Sequence, residues 1–161
     1  MTKAKSGRKG VVPMEMSYIA PILDSLLNLS CERQIAHNET KEVLSRKSWL
    51  KEFCTIILSG PRQSGHDWAA ARLIESFNGN VWMIHAGFSM QSHFIQYSNN
   101  PQPRTGKRID AFHSSHLRSL TCPGLVIVNN TTFVSRKTIS KMYDYMALSD
   151  IPSLCNIILL H

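Results

Sequence analysis

Residues 53–67 read FCTIILSGPRQSGHD, and this stretch decides the expected fold. Residues 53–58 form a continuous apolar run rich in β-branched side chains, which is typical of a strand buried on both faces of a parallel sheet. Gly60 and Gly65 follow the run, and residues 68–77 then carry helix formers with apolar residues at helical spacing. The stretch therefore predicts a strand, a glycine loop and a helix.

The two glycines have the spacing of the phosphate-binding motif G-x-x-x-x-G-K-[ST]. In that motif backbone N–H groups cradle phosphate, the lysine reaches the β and γ phosphates, and the hydroxyl holds Mg²⁺. Here His66 and Asp67 occupy the last two positions, so a fixed positive charge is lost and a carboxylate faces the phosphate. Two like charges about 4 Å apart repel by roughly 1 to 4 kcal/mol, although a carboxylate is also a good Mg²⁺ ligand. An ordinary turn between a strand and a helix, with glycines serving backbone geometry only, is the alternative.

A second site follows another apolar run, residues 124–128, which ends in Asn129 and Asn130. In nucleotide-hydrolysing proteins that carry the loop, a strand of this type ends in an Asp that supports Mg²⁺, often followed by an acid that activates water. An amide can orient a water or a phosphate, but it cannot neutralise a metal ion or accept a proton at pH 7. Alternatively, the two asparagines simply turn the chain.

Two further apolar runs, residues 80–87 and 156–161, complete a set of four predicted strands separated by helical or irregular stretches. We therefore expect an α/β fold in which helices flank a parallel sheet. Residues 53–161 resemble the P-loop NTPase superfamily, and within it the additional-strand branch that includes AAA+, RecA-like and viral packaging ATPases. By that resemblance the strand before His161 would normally carry a polar sensor of the γ-phosphate.

The resemblance also implies which residues form the nucleotide site and that this site is degenerate. With the lysine and both acids replaced, we expect no catalytic residues, no efficient ATPase, and no cofactor beyond weakly bound phosphate or nucleotide. Arg62 lies inside the loop and could supply the missing positive charge. The residues assigned to this degenerate site are Gly60, Arg62, Ser64, Gly65, His66, Asp67, Asn129 and Asn130.

Composition sets the predicted organisation. The chain has 161 residues, of which 43% are hydrophobic and 18% are charged, as in globular proteins. We expect a basic flexible tail over residues 1–13, helices that pack on the core over residues 14–52, and the P-loop-like core over residues 53–161, with residues 14–161 forming one domain. No stretch has the length or order of a transmembrane span or a signal peptide, which favours a cytoplasmic protein without a membrane partner.

Cysteine and histidine usage gives no sign of a metal site. The four cysteines have no close spacing, and three of them adjoin predicted strands, where a free thiol behaves as a small buried hydrophobe in a reducing compartment. His113 and His116 are three residues apart but lack further ligands at suitable spacing, so no structural metal is predicted. The cysteines are Cys31, Cys54, Cys122 and Cys155.

The formal net charge of +7 points to an acidic partner. Three basic groups are predicted to contact nucleic acid, although the first group could equally be a solubilising tail. If the second and third groups meet at the edge where parallel strands end, they would form a basic rim around the glycine loop. The groups are Lys3, Lys5, Arg8 and Lys9; Arg104, Lys107 and Arg108; and Arg136 and Lys137.

The function expected from these features is that of a catalytically inactive P-loop NTPase-like accessory protein that binds nucleic acid, in DNA transactions such as replication, transcription or packaging. One alternative is an interaction protein that caps or inhibits an active ATPase or another partner; a protein partner or an oligomer is compatible with either function. Another is an atypical Mg²⁺-dependent ATPase that uses His66 and Asp67 in unusual roles.

Overall fold

One sheet of six strands, with helices on both faces, organises the chain. The computed structural model describes residues 19–60, 65–86, 92–98, 104–109, 122–149 and 154–161. Its strands are β1 (Thr55–Leu58), β2 (Val81–Ala86), β3 (Ser92–Tyr97), β4 (Gly106–Ile109), β5 (Leu125–Asn129) and β6 (Asn156–Leu160). Its helices are α1 (Ile19–Ala36), α2 (Arg46–Phe53), α3 (His66–Ser76) and α4 (Arg136–Leu148), with short 3₁₀ helices at Asn38–Lys41 and Thr131–Phe133.

The strand order across the sheet is β1-β6-β5-β2-β3-β4. The first four of these strands are parallel, whereas β3 and β4 pair antiparallel to their neighbours. The last strand in sequence, β6, thus lies between β1 and β5. Every residue of β5 and β6 is buried, which explains why both strands are continuous apolar runs apart from Asn129 and Asn156 at their ends.

Two helices cover each face of the parallel strands. On one face α2 and α4 pack around Trp82, Val126 and Ile157. On the other face, called here the α1/α3 face, α1 and α3 pack around Ile127 and Ile158. Successive residues of each strand point to opposite faces of the sheet, so they pack alternately against the helices on one face and on the other.

The predicted α/β class and flanking helices are confirmed, but the expectation of a parallel sheet is only partly correct. The strands β3 and β4 were not predicted, because SHFIQY and GKRI mix polar and apolar residues instead of forming apolar runs. The helix α2 includes Phe53, where the first strand was expected to begin, and β1 starts at Thr55. All four predicted apolar strands are present, with ends shifted by one or two residues.

Three of the four cysteines are buried free thiols, as predicted, and Cys31 is half-buried. Burial raises the pKa of Cys54 to about 12, an effect that the positive charge of Lys41 partly opposes. Burial also raises the pKa of Cys155 well above its ordinary value. Within the described ranges, no helix combines the length and the apolar character needed to cross a membrane.

Candidate functional site

The four parallel strands end at one edge of the sheet, called here the carboxyl edge. Their register places Leu58 beside Leu160 and Asn129 beside His85. Two hydrogen bonds fix the strand ends there: the His161 N–H donates to the Leu58 carbonyl at 3.0 Å, and the Thr131 hydroxyl donates to the Leu160 carbonyl at 3.0 Å. Segments that leave these strands therefore start from fixed positions.

Gly65 positions the start of α3, whereas Gly60 extends the pairing of β1 with β6. Gly65 lies immediately before α3 with a φ of 84°, a left-handed conformation that glycine adopts without strain. Its carbonyl accepts the first helical hydrogen bond, from Ala69 N–H at 2.9 Å. The Gly60 N–H donates to the His161 carbonyl at 3.4 Å, which continues the pairing of β1 with β6. The left-handed backbone at residue 65 favours glycine there, independently of any ligand of the loop.

Asp67 and Asn129, which belong to two separate sequence motifs, are in direct contact. The Asn129 side-chain amide donates a hydrogen bond to the Asp67 carboxylate. Asp67 lies in the first turn of α3, and Asn129 is the last residue of β5. A hydrogen bond to an ionised carboxylate is shorter and stronger than one between neutral groups. Residues from the two sequence stretches are therefore brought together at one place on the carboxyl edge.

The electrostatics of this site differ from those of a phosphate cradle. The first turn of a helix carries free N–H groups and a partial positive charge, which attract anions. Asp67 places a carboxylate of the chain itself at that end of α3. Asn129 is only 3% exposed, and its Oδ1 has no hydrogen-bond partner among the described residues. An incoming phosphate would meet a carboxylate and a carbonyl oxygen, neither of which can donate a hydrogen bond to it.

Asn130 does not contribute a side chain to the contact between Asp67 and Asn129. It adopts a left-handed conformation with a φ of 53°, and its carbonyl accepts a hydrogen bond from the Phe133 N–H at 2.9 Å. Asparagine tolerates this conformation better than most residues do. Asn130 therefore turns the chain after β5, whereas Asn129 makes the polar contact.

His85 is a residue that the sequence reasoning missed. It pairs in register with Asn129, so both lie on the α1/α3 face at the carboxyl edge. His66 is the first residue of α3 and is half-buried. The sequence offered one signal for His85, which is a titratable residue near the end of an apolar run. That run forms β2, the neighbour of the strand that ends in Asn129.

The predicted basic groups lie in different places. Arg136 and Lys137 are exposed in the first turn of α4, which begins at the carboxyl edge shortly after β5. Gly106, the first residue of β4, pairs with Tyr97, which pairs with Val81 at the start of β2. The second predicted basic group, which starts at Arg104, therefore begins at the opposite edge of the sheet. The basic rim expected around the glycine loop does not include this group.

Arg104 is buried, which does not fit the predicted contact with nucleic acid. Its guanidinium donates hydrogen bonds to the carbonyls of Gly79, at 2.6 Å, and Phe77. It therefore stabilises the turn between α3 and β2. Lys107 is exposed on β4, and Arg108 lies in the same strand.

Several predicted site residues fall outside the described residues. These are Arg62 and Ser64 in the loop, and Lys3, Lys5, Arg8 and Lys9 in the tail. Across the part of the chain that the structure describes, no group of three or more His, Cys, Asp or Glu side chains could hold a metal ion.

No family model, curated protein or solved structure matches this chain, so its function has to be argued from the carboxyl edge itself.

Proposed function

We propose that this chain is a catalytically inactive P-loop NTPase-like accessory protein that binds nucleic acid through the carboxyl edge. The contact between Asp67 and Asn129 is the observation that carries the first part of the proposal. The position of Arg136 and Lys137 at the same edge supports the second part.

Strand order supports a P-loop NTPase-like fold. β6 lies between β1, which precedes the glycine loop, and β5, which ends in Asn129. This is the arrangement expected for the additional-strand branch, where one strand separates the loop strand from the strand that ends in acidic residues. The antiparallel pair β3 and β4 then extends the sheet beyond β2.

The chemistry of the carboxyl edge supports inactivity. Phosphoryl transfer depends on positioned positive charge and on a metal ion that neutralises charge on the transferred group. At the motif positions this chain has His66, Asp67 and Asn129 in place of a lysine, a hydroxyl and an acid. The carboxylate of Asp67 lies in the first turn of α3 and accepts a hydrogen bond from Asn129, so a negative group stands at the helix end that the proposal assigns to the degenerate loop.

The expected activity with ATP is therefore none above background. Combining His66→Lys with Asp67→Thr restores the loop motif but should not restore hydrolysis, because Asn129 and Asn130 still provide no acid. Phosphate release is the measurement, and a turnover of about 1 per second or more in the unaltered protein would contradict inactivity. ATP titrations with and without Mg²⁺ should give weak or absent binding, and submicromolar affinity would contradict this expectation.

Salt dependence tests nucleic-acid binding. Each phosphate contact that is lost should reduce the slope of log affinity against log salt by about 0.9 for duplex DNA and about 0.7 for single strands. Arg136→Ala with Lys137→Ala should reduce the slope, and so should removal of residues 1–13. Lys107→Ala is the matched control, because it removes one exposed charge at the other end of the sheet.

Two outcomes would overturn the nucleic-acid part of the proposal. One is that neither duplex nor single-stranded nucleic acid binds at low salt, in which case capping of a partner ATPase becomes the better account. The other is that Lys107→Ala lowers the slope while Arg136→Ala with Lys137→Ala leaves it unchanged.

A further inference from the structure

Two aromatic side chains are exposed at the carboxyl edge. Trp68, in the first turn of α3, is 50% exposed, and Phe133, which ends the 3₁₀ helix after β5, is 53% exposed. The other two tryptophans, Trp49 and Trp82, are buried. Large aromatic side chains normally contribute burial to a core, whereas these two expose about half of their surface at the edge of the sheet where ligands bind in parallel α/β folds.

The exposure of Phe133 does not result from a loosely held segment. The residues on either side of it are anchored: Thr131 donates its hydroxyl to the Leu160 carbonyl, and Val134 is buried. Hydrogen bonds within the turn join Phe133 N–H to the Asn130 carbonyl at 2.9 Å and Val134 N–H to the Thr131 carbonyl at 3.1 Å. The turn thus presents the phenyl ring from a fixed backbone.

Two basic residues follow Phe133 closely in sequence, at the start of α4. Arg136 and Lys137 follow Phe133 by three and four residues, and both are exposed. Cations in the first turn of a helix oppose the helix dipole, and no acidic residue in the first turn of α4 offsets them. The Ser135 hydroxyl caps the helix instead, by accepting from Thr138 N–H at 3.1 Å. The arrangement costs helix stability and favours an anion at this position.

We propose that the carboxyl edge binds single-stranded nucleic acid, with unpaired bases stacking on Phe133 and Trp68 and phosphates held by Arg136 and Lys137. This inference rests on the proposed function and names its substrate class. Every base has a flat face, so stacking on aromatic side chains beside basic residues gives binding that tolerates sequence. In a duplex those faces are covered by neighbouring bases, and an acidic peptide supplies charge without bases.

The test compares ligands that share their phosphates but differ in their bases. The probes are an oligothymidylate of about twelve nucleotides, an abasic strand of equal length, the same sequence as duplex, and polyglutamate. We expect the oligothymidylate to bind about tenfold more tightly than the abasic strand at equal salt. Because Trp49 and Trp82 are buried, quenching of tryptophan fluorescence by the oligothymidylate should come from Trp68 and be lost in Trp68→Leu.

Substitutions then separate stacking from charge. Phe133→Ala and Trp68→Ala should each weaken oligothymidylate binding about tenfold without changing its salt slope, whereas Arg136→Ala with Lys137→Ala should lower the slope. Leu148→Ala is the matched control, because Leu148 is 85% exposed at the other end of α4 and should have no effect. Circular dichroism of each variant shows whether a loss comes from unfolding.

The outcomes for this inference and for the proposed function are distinct. Equal binding of the oligothymidylate, the abasic strand and the duplex, unchanged by Phe133→Ala and Trp68→Ala, overturns stacking but leaves nucleic-acid binding intact. Polyglutamate binding as tight as that of the oligothymidylate, or no binding of any nucleic acid, overturns both.

Discussion

Arg104 joins the turn after α3 to the start of β4. Its guanidinium is buried and donates to two main-chain carbonyls, those of Phe77 and Gly79, which no strand or helix pairs. A planar guanidinium can satisfy two carbonyls at once, whereas a lysine ammonium lacks that fork. A basic residue near other basic residues suggests a surface role, and only the burial of Arg104 identifies its structural one.

We expect Arg104→Ala to lower the free energy of unfolding by about 2 to 4 kcal/mol, because it leaves two carbonyls unpaired and removes buried side-chain volume. Arg104→Lys should have a free energy of unfolding between those of Arg104→Ala and the unaltered protein. Lys107→Ala should change stability by less than about 0.5 kcal/mol, since Lys107 is exposed. Urea unfolding measures all three. A stable Arg104→Ala variant with weakened nucleic-acid binding would show that the arginine acts on the surface.

The buried thiols make stability depend on pH in the alkaline range. The folded state keeps Cys54 protonated up to about pH 12, and burial acts on Cys155 in the same direction. In the unfolded chain a thiol ionises near pH 8.5, so above about that pH the unfolded state has lost protons that the folded state retains. The free energy of unfolding should therefore fall as pH rises, by up to about 1.4 kcal/mol per pH unit for each thiol.

Chemical denaturation at pH 7.5, 9 and 10 under reducing conditions checks this dependence. Cys54→Ala with Cys155→Ala should flatten the decline, even though both substitutions lower stability at every pH. Cys31→Ala is the control, because Cys31 is only half-buried. If the free energy of unfolding falls equally with rising pH in the double variant and in the unaltered protein, then ionisable groups other than these two thiols cause the fall.

At the scale of elements, the buried side chain of Gln34 helps to join α1 to the start of β6. The Gln34 side chain donates to the Cys155 carbonyl at 2.9 Å and to Asn156 Oδ1 at 3.2 Å, and it accepts from the Cys155 N–H at 3.2 Å. These bonds satisfy backbone groups at the start of β6, which no strand partner reaches. Apolar contacts hold α1 against the sheet, and the hydrogen bonds of Gln34 also fix its position along β6.

Gln34→Leu keeps the approximate volume but leaves those groups without partners. We expect it to lower the free energy of unfolding by about 1 to 3 kcal/mol, measured by thermal or urea unfolding. Ile35→Ala, at an exposed position on the same helix, should cost much less. If the two variants lose similar stability, Gln34 contributes only packing.

Two of the strands that the sequence predicted, β5 and β6, are buried on both faces. Full burial leaves β5 and β6 apolar except for Asn129 and Asn156 at one end of each strand, so a continuous apolar run marks each of them. The strands β3 and β4 carry mixed side chains such as Gln96 and Lys107, and their pattern does not separate them from a loop. The contact of Asp67 with Asn129 is not visible in sequence either, because it depends on which strands become neighbours.

At the scale of the whole molecule, the two outer strands of the sheet differ in protection. β4 carries exposed Lys107, a charge of the kind that discourages pairing with another chain. β1 has no charged residue, and its Ile57 is 64% exposed. The hydrogen bonds from β1 to β6 use Cys54, Leu58 and Gly60, so the N–H and carbonyl groups of the alternating residues point away from the sheet.

We therefore expect concentration-dependent self-association through β1. Ile57→Lys should reduce it, as measured by sedimentation velocity over a range of protein concentrations. Val43→Lys is the matched control, because Val43 is also exposed and apolar but lies outside the strands. An equal reduction in both variants would mean that added charge alone prevents association.

The position of β6 also has a consequence for how the molecule forms. β6 pairs Thr55 with Ile157 on one side and Val128 with Leu159 on the other, so it joins parts of the chain that are far apart in sequence. While the chain emerges from the ribosome, β1, β2 and β5 are made first; β5 can pair with β2, but β1 has no partner in the sheet until residues 156–160 arrive. Pairings over such long separations fold slowly. The nascent chain must therefore hold two incomplete pieces of one sheet until β6 arrives to join them.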